Sequence, residues 1–392
     1  MPGTVWALGV VSLCMDASSE LVHALLPLYL AGAFGASMTL IGLIEGLAEG
    51  TAQILKVFSG ALSDRIGRRK GLALLGYGLG ALTRPVFPLA DALGLVTAAR
   101  LLDRVGKGIR GAPRDALIAD VTPPHLRGAA YGLRESLDSV GAFLGPALAM
   151  GLMVWLADDI RTALWFALVP AVLSVTVLAV FVRDTPVTGA TTASPPRWSD
   201  LTTLPATYWR TVGVGVVCTL ARFSEAFLVL RAADAGLPLA LAPLALLALA
   251  GARVLVSYPA GVASDRMAPG PLWVLGFAVL GLADLALAFG QSPAVVLLGA
   301  GLWGVHLGLT EGLLSRQVAN AAPGDRVGTA FGVFHLVTGL VLLPASALAG
   351  VLWDFFGPGA SFAAGGAFAL LAALLGGWVH STPRASHNAR TP

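Results

Sequence analysis

Charge is what this chain has least of. Only 12% of its 392 residues are Asp, Glu, Lys or Arg, about half the roughly 25% of an average soluble domain. Hydrophobic residues make up 56%, and the mean hydropathy is +0.79. That shortage excludes an ordinary water-soluble domain and puts the chain in a bilayer. Cysteine is scarce as well: Cys14 and Cys218 both lie inside apolar stretches, so neither a disulfide scaffold nor a metal knuckle is available. No H-E-x-x-H and no G-x-S-x-G occur, and Lys107 is followed by Gly108 instead of a phosphate-loop Ser or Thr. These gaps remove the sequence grounds for an intramembrane enzyme, a resident metal or a cofactor. Gly299 to Gly304 matches G-x-G-x-x-G, yet it lies in an apolar helix with no preceding strand and reads as helix packing. Met1-Pro2-Gly3-Thr4 lacks a basic n-region, and Asp16 and Glu20 interrupt the first apolar stretch, so that stretch reads as a retained spanning helix.

A spanning helix needs about 20 mostly apolar residues. That ruler gives segments near 5–31, 39–62, 71–90, 95–116, 129–155 and 163–182, then 209–231, 240–262, 272–290, 294–318, 328–352 and 360–380. The expected fold is an all-α integral membrane protein with 12 transmembrane helices as two parallel six-helix repeats. One bundle covers 1–182, a Thr/Pro/Ser-rich linker 183–208, the second bundle 209–382, and a tail 383–392. Trp198, Tyr208 and Trp209 are expected at the membrane interface. The loops of one side carry Arg65, Arg68, Arg69, Lys70, Arg127, Arg183, Arg197, Arg210, Arg266 and Arg326; those of the other offer little beyond Arg161 and Arg231. The positive-inside rule then puts both termini and the linker in the cytoplasm of a cell (inner) membrane protein, and explains the net charge of +3 without nucleic acid.

The halves repeat each other in detail. Gly60-Ala61-Leu62-Ser63-Asp64-Arg65 returns as Gly261-Val262-Ala263-Ser264-Asp265-Arg266, 201 positions on; Arg127-Gly128-Ala129-Ala130-Tyr131-Gly132 returns as Val327-Gly328-Thr329-Ala330-Phe331-Gly332, 200 on; Ser19-Glu20 returns as Ser224-Glu225, 205 on. Such a period marks an internal duplication, and six spans per half make the repeats parallel, with a binding site expected between them at mid-depth.

The turn Gly60 to Arg69 resembles the signature G-x-L-x-D-R-x-G-R-[RK] of the major facilitator superfamily, in the expected loop between helices 2 and 3. Arg104-Val105-Gly106-Lys107-Gly108 resembles that family's R-x-x-Q-G, with Lys107 for Gln. Gly141, Gly145 and Pro146 resemble its antiporter motif, with Ala149-Met150 in place of the closing glycine pair. Asp103 to Arg110, with Arg114-Asp115, is similar to a largely uncharacterised branch. The resemblance implies a gating role for Gly60, Asp64, Arg65, Gly67, Arg68 and Arg69, and for the worn copy Asp265 and Arg266. On physical grounds alone, the same turn is a topogenic and packing element.

Charges inside the spans carry the chemistry. One at the bilayer centre costs about 2.5–3.5 kcal/mol on insertion scales, so a dozen unpaired would outweigh a folding stability of about 5–15 kcal/mol. They must pair or face water. Asp16, Glu20 and His23 share one helical face, as do Glu45, Glu49, Gln53 and Lys56, while Arg100, Arg104 and Lys107 line another with Asp103 beside them. Arg134, Glu135 and Asp138 follow in the fifth span. The C-terminal half has Arg222, Glu225, Arg253, Asp284, His306, Glu311 and His335.

The expected proton-coupling site is Asp16, Glu20, Glu135 and Asp138, balanced by Arg104 and Lys107. The expected substrate-facing residues are Glu45, Glu49, Arg100, Asp103, Arg134, Arg222 and Glu225. Fixed ion pairs that specify packing remain the alternative for Glu45, Glu49 and Lys56, and mutual neutralisation for Arg222 with Glu225; His306 and His335 read as packing histidines. The function expected is proton-coupled export of a small anionic or zwitterionic organic solute by alternating access, with uptake by symport, or divalent-cation export through Asp16, Glu20 and His23, as alternatives. The partners are that solute, protons and lipid. One chain holds both halves of a pathway, so a monomer suffices.

Overall fold

The computed structural model describes residues 1–66, 69–183, 204–267, 269–322 and 327–381. The N-terminal half consists of α1 (Gly3–Phe34), α2 (Met38–Ile66), α3 (Arg69–Thr83) with α4 (Val86–Leu89), α5 (Leu93–Val121), α6 (Arg127–Trp155), and α7 (Ile160–Trp165) with α8 (Leu168–Phe181). The C-terminal half consists of α9 (Ala206–Ala221) with α10 (Ala226–Asp234), α11 (Leu244–Arg266), α12 (Pro269–Phe289), α13 (Pro293–Ala321), α14 (Val327–Phe356) and α15 (Pro358–Ser381). Counting each paired set as one, these are the twelve expected spans. Helices are the open-ended way for a backbone to satisfy its own polar groups in lipid. Among the described residues, ten spans are long and apolar enough to cross a membrane by length and composition alone. The other two, α2 and α5, are the most heavily charged helices of the N-terminal half and pack against each other.

Three spans are broken, for different reasons. Pro85 ends α3 at the turn that carries Arg84, and Pro170 removes the N–H that would continue α7 into α8. Between α9 and α10, residues 222–225 leave the helix with no proline nearby. There Ser346 Oγ of α14 accepts the Ser224 N–H at 3.1 Å, and Ser224 Oγ accepts the Ala226 N–H at 3.3 Å. The related stretch of α1, around Ser19 and Glu20, stays helical.

The halves meet chiefly along α2 and α14, and also through α6 with α11 and α1 with α10. Glycines bring α2 and α14 together: a Cβ on Gly42 would stand 2.1 Å from Ser346 O, and one on Gly350 2.2 Å from Met38 O. At the end of this seam, the Asp354 carboxylate accepts from Met38 N at 3.0 Å and from Thr39 N and Oγ1 at 2.8 and 2.6 Å. An acid of one half thus caps a helix of the other. Removing such a cap costs about 0.5–2 kcal/mol, and only in the state where the halves touch here. Asp354→Ala is therefore expected to shift the balance several-fold toward the state open on this face, read as faster alkylation of a Thr39→Cys reporter.

Of the turn at 60–69 and its copy at 261–266, Gly67 and Arg68 lie outside the described residues, as do the side chains of Asp64, Arg65 and Asp265. A Cβ on Gly60 would stand 3.5 Å from Ala112 Cβ, Arg69 pairs with Asp120 at 3.1 Å, and Arg266 is exposed. Trp198 falls outside the described residues. Tyr208 corrects the sequence reading: it is fully buried and donates to Ala330 O at 2.7 Å, so its hydroxyl is used inside the bundle while its neighbour Trp209 remains exposed.

Candidate functional site

The densest charge cluster sits where α5 meets α2, α1 and the α3–α4 turn. Arg100 Nη2 donates to Glu45 Oε2 at 2.7 Å and to Glu49 Oε1 at 3.4 Å, and lies 3.0 Å from His23 Nδ1, which accepts from it. Arg104 donates to Asp103 Oδ2 through Nε at 3.0 Å and Nη2 at 2.7 Å, and to Glu49 Oε1 at 2.9 Å. From the other side Arg84 Nη2 reaches Asp103 Oδ1 at 2.9 Å and Ser19 Oγ at 2.8 Å. Three guanidinium groups thus meet three carboxylates, and Arg84, Arg100, Asp103 and Glu45 are each 0% exposed. Such a block is tolerable away from water only because each charge meets at least one of opposite sign, although Glu45 Oε1 and two nitrogens each of Arg84 and Arg100 have no hydrogen-bond partner among the described residues.

A second cluster lies further along α5. Arg110 is 3.8 Å from Asp16 and stacks 4.9 Å from the Tyr77 ring. Arg114 contacts Asp115 at 3.1 Å, Ser12 Oγ at 2.9 Å and Asp138 at 3.6 Å. Arg134 bridges Asp115 at 3.0 Å and Asp138 at 2.8 Å, and is also hydrogen-bonded to Glu135. The antiporter-like glycines position this wall: a Cβ on Gly141 would stand 3.1 Å from Asp16 Cβ, and one on Gly145 2.5 Å from Glu20 Cβ. Without side chains there, α6 presses on α1 where its acids sit. Pro146 follows inside the same helix.

The central space between the halves is edged differently. Arg253 of α11 and Glu311 of α13 pair at 2.7 Å although their side chains are 40% and 43% exposed. Charges this open within spanning segments belong on a face turned from lipid, which would not accept them. Glu225, at the break between α9 and α10, is in electrostatic range of His23, Glu20, Arg253 and Glu311. Among the described residues neither Glu20 nor Glu225 forms an ion pair. Arg222 does not neutralise Glu225; its Nε donates to Cys218 O at 3.3 Å, because the break turns the two side chains off a common helical face.

Sequence reasoning and geometry differ over partners. Asp16, Asp138, Glu135 and Arg134 do come together, but with Arg110 and Arg114, whereas Arg104 joins Glu49 and Asp103. Glu20 is within electrostatic range of Arg104, and Lys107 of Glu49. Arg84 was missed entirely; its place before Pro85, in an otherwise apolar stretch, was the available signal. His306 is a buried packing residue with Nδ1 2.7 Å from Gly276 O, and His335 stacks on Phe331. Among the described residues no three His, Cys, Asp or Glu stand together as metal ligands. His23 turns to Arg100 and Glu45 instead of joining Asp16 and Glu20.

Residues 8–341 match the family profile described as Major Facilitator Superfamily. An uncharacterised MFS-type transporter of Methanocaldococcus jannaschii is 31% identical over 385 residues, which cover 95% of this chain and 93% of that protein. Multidrug resistance protein MdtH of Yersinia enterocolitica is similar over a shorter stretch, 31% identical over 133 residues, or 34% of this chain and 33% of that one. Among solved structures, a D-xylose-proton symporter superposes with a TM-score of 0.76 at 16% identity over 95% of this chain and 96% of that one, a likeness of fold.

Proposed function

The chain belongs to the major facilitator superfamily and is a secondary transporter working by alternating access, and from that premise we propose that it exports a small zwitterionic organic solute in exchange for protons. The observation that carries this reading is the pair Glu20 and Glu225. One comes from each half, each is in range of the other, and neither is tied into an ion pair among the described residues. Two carboxylates facing each other away from bulk water bind one cation between them in preference to none. When the site is empty that cation is a proton; an ammonium group of the solute competes for the same position. Proton and solute then occupy the site in turn, which is exchange. Arg222 and Arg253 offer the opposite charge for a solute carboxylate, and the substrate-facing set is completed by Glu49.

Asp16, Asp138, Glu135 and Arg134, with Arg110 and Arg114, form the route by which protons leave the central site, and Arg104 and Lys107 hold its electrostatic balance. Asp64, Arg65, Gly67, Arg68 and Arg69, with Asp265 and Arg266, latch the halves on the cytoplasmic face of the cell membrane, where the basic loops and both termini lie. The antiporter-like Gly141, Gly145 and Pro146 and the partial likeness to a multidrug resistance protein support export. A monomer is the working unit.

Reconstituted protein in liposomes tests this by solute-driven proton flux across a panel of zwitterionic, anionic and cationic compounds. Wild type is expected to move protons against the solute. Glu20→Gln and Glu225→Gln are each expected to abolish the flux while the protein stays folded by size exclusion and circular dichroism. Retention of proton-driven transport in Glu20→Gln sinks the assignment, and solute moving together with protons replaces export by uptake.

A further inference from the structure

Asp284 of α12 has no part in the pathway above, yet it is fully buried. Oδ1 accepts from Trp303 Nε1 at 2.9 Å, whereas Oδ2, also buried, has no hydrogen-bond partner among the described residues. Around it stand Trp303 of α13, Phe223 of the break between α9 and α10, and Gly365 and Gly366 of α15. The titratable and charged groups those elements bring to this depth are His306, whose Nδ1 meets Gly276 O while its buried Nε2 has no partner among the described residues, and Arg222 and Glu225, which flank Phe223. None of them pairs with Asp284. A lone carboxylate anion in such surroundings is costly to keep without a countercharge, water or a proton.

The duplication shows what changed here. Arg84 and Asp284 are 200 positions apart, as are Asp103 and Trp303, and within each half the two residues are 19 apart and joined at 2.9 Å. In the N-terminal half this contact is an ion pair whose arginine keeps its charge at any physiological pH. In the C-terminal half the acid has moved to the arginine's position and faces an indole, which donates to Oδ1 but supplies no countercharge. The Asp284 Oδ2 lies 3.1 Å, and the carbonyl oxygen of Ala221, the last residue of α9, 3.5 Å, from where a Cβ on Gly365 would stand. Glycine leaves both oxygens facing one small space at the broken end of the seventh span. We infer that Asp284 is a second proton-binding site, whose proton bridges Oδ2 to the free end of α9 and holds the break between α9 and α10. When that proton leaves for water, the remaining charge requires water or Arg222, and the seventh span must move to supply either.

Infrared difference spectroscopy of the full chain in phospholipid vesicles, stepped between acidic and alkaline buffer, reads the carboxyl band directly. Wild type is expected to show a protonated-carboxyl stretch that Asp284→Asn removes and Glu20→Gln keeps; an unchanged band in Asp284→Asn overturns the inference. Should Asp284→Asn fail to assemble, Asp284→Glu must shift the same band, and an unshifted band overturns it equally. Cys218, one turn before the break, reports on the helix. In a Cys14→Ala background its alkylation, normalised to the same chain carrying Asp284→Asn, is expected to rise about tenfold from acidic to alkaline pH as the bridging hydrogen bond is lost; a flat ratio overturns the coupling to the break. Neither readout requires a transported solute, so failure of the Glu20 exchange site leaves both intact, and the reverse.

Discussion

Asp103→Asn is expected to lose about 3–5 kcal/mol of stability, the cost of leaving buried charge without its partner, out of a total of about 5–15 kcal/mol. Asp103 is 0% exposed and touches Arg84 at 2.9 Å, Arg104 at 2.7 Å and Arg100 at 3.9 Å. The amide keeps the shape but removes the negative charge, and its NH₂ group points a donor at guanidinium donors. Arg104 retains Glu49, and Arg100 retains Glu45; Arg84 keeps only the neutral Ser19 and Met15. The loss therefore falls mainly on Arg84, and Arg84→Leu combined with Asp103→Asn is expected to recover a large part of it. Thermal unfolding of the purified variants in detergent provides the check. A single variant within about 1 kcal/mol of wild type would show that Arg84 finds compensation elsewhere.

Gly42→Ala is expected to shift the alternating equilibrium instead of unfolding the protein. The added methyl would stand 2.1 Å from Ser346 O and 2.9 Å from its carbonyl carbon. That obstacle is backbone of α14 and cannot rotate aside, so α14 must back away from α2. Overpacking of this kind costs about 1–3 kcal/mol, but only in the state in which α2 and α14 touch at this level. A difference of that size changes the ratio of two states about 5- to 150-fold. Transport is expected to fall by a comparable factor because one half of the cycle is disfavoured, while each six-helix bundle stays folded. Alkylation of a Ser346→Cys reporter, with both native cysteines replaced by alanine, should rise in step. Unchanged labelling would mean that the two helices do not separate here during the cycle.

Much of this was legible in the chain. The fifth span was expected over 129–155 and runs Arg127–Trp155; the fourth, expected over 95–116, runs Leu93–Val121. The parallel duplication, the family and the weight of charge on α5 were also readable. Partition into a bilayer is a property each residue contributes whatever its neighbours, so it adds along the chain and can be summed from the sequence. The spacing of three and four that groups acids on one helical face is equally local.

The partners were not legible. Arg104, expected to balance Asp16 and Asp138, binds Glu49 and Asp103 because α5 is turned toward α2, with α6 meeting a later stretch of α5. The rotation of each helix about its own axis follows from close contacts such as Gly76 against Gly106 and Gly145 against Glu20, which no single segment encodes. The break between α9 and α10 has no proline behind it and depends on Ser346, 122 residues away. Asp284 shows the division most plainly. Its spacing from Arg84 follows from the duplication and can be counted in the sequence, but its lack of a countercharge depends on which side chains converge on it, and that is decided only when the helices pack.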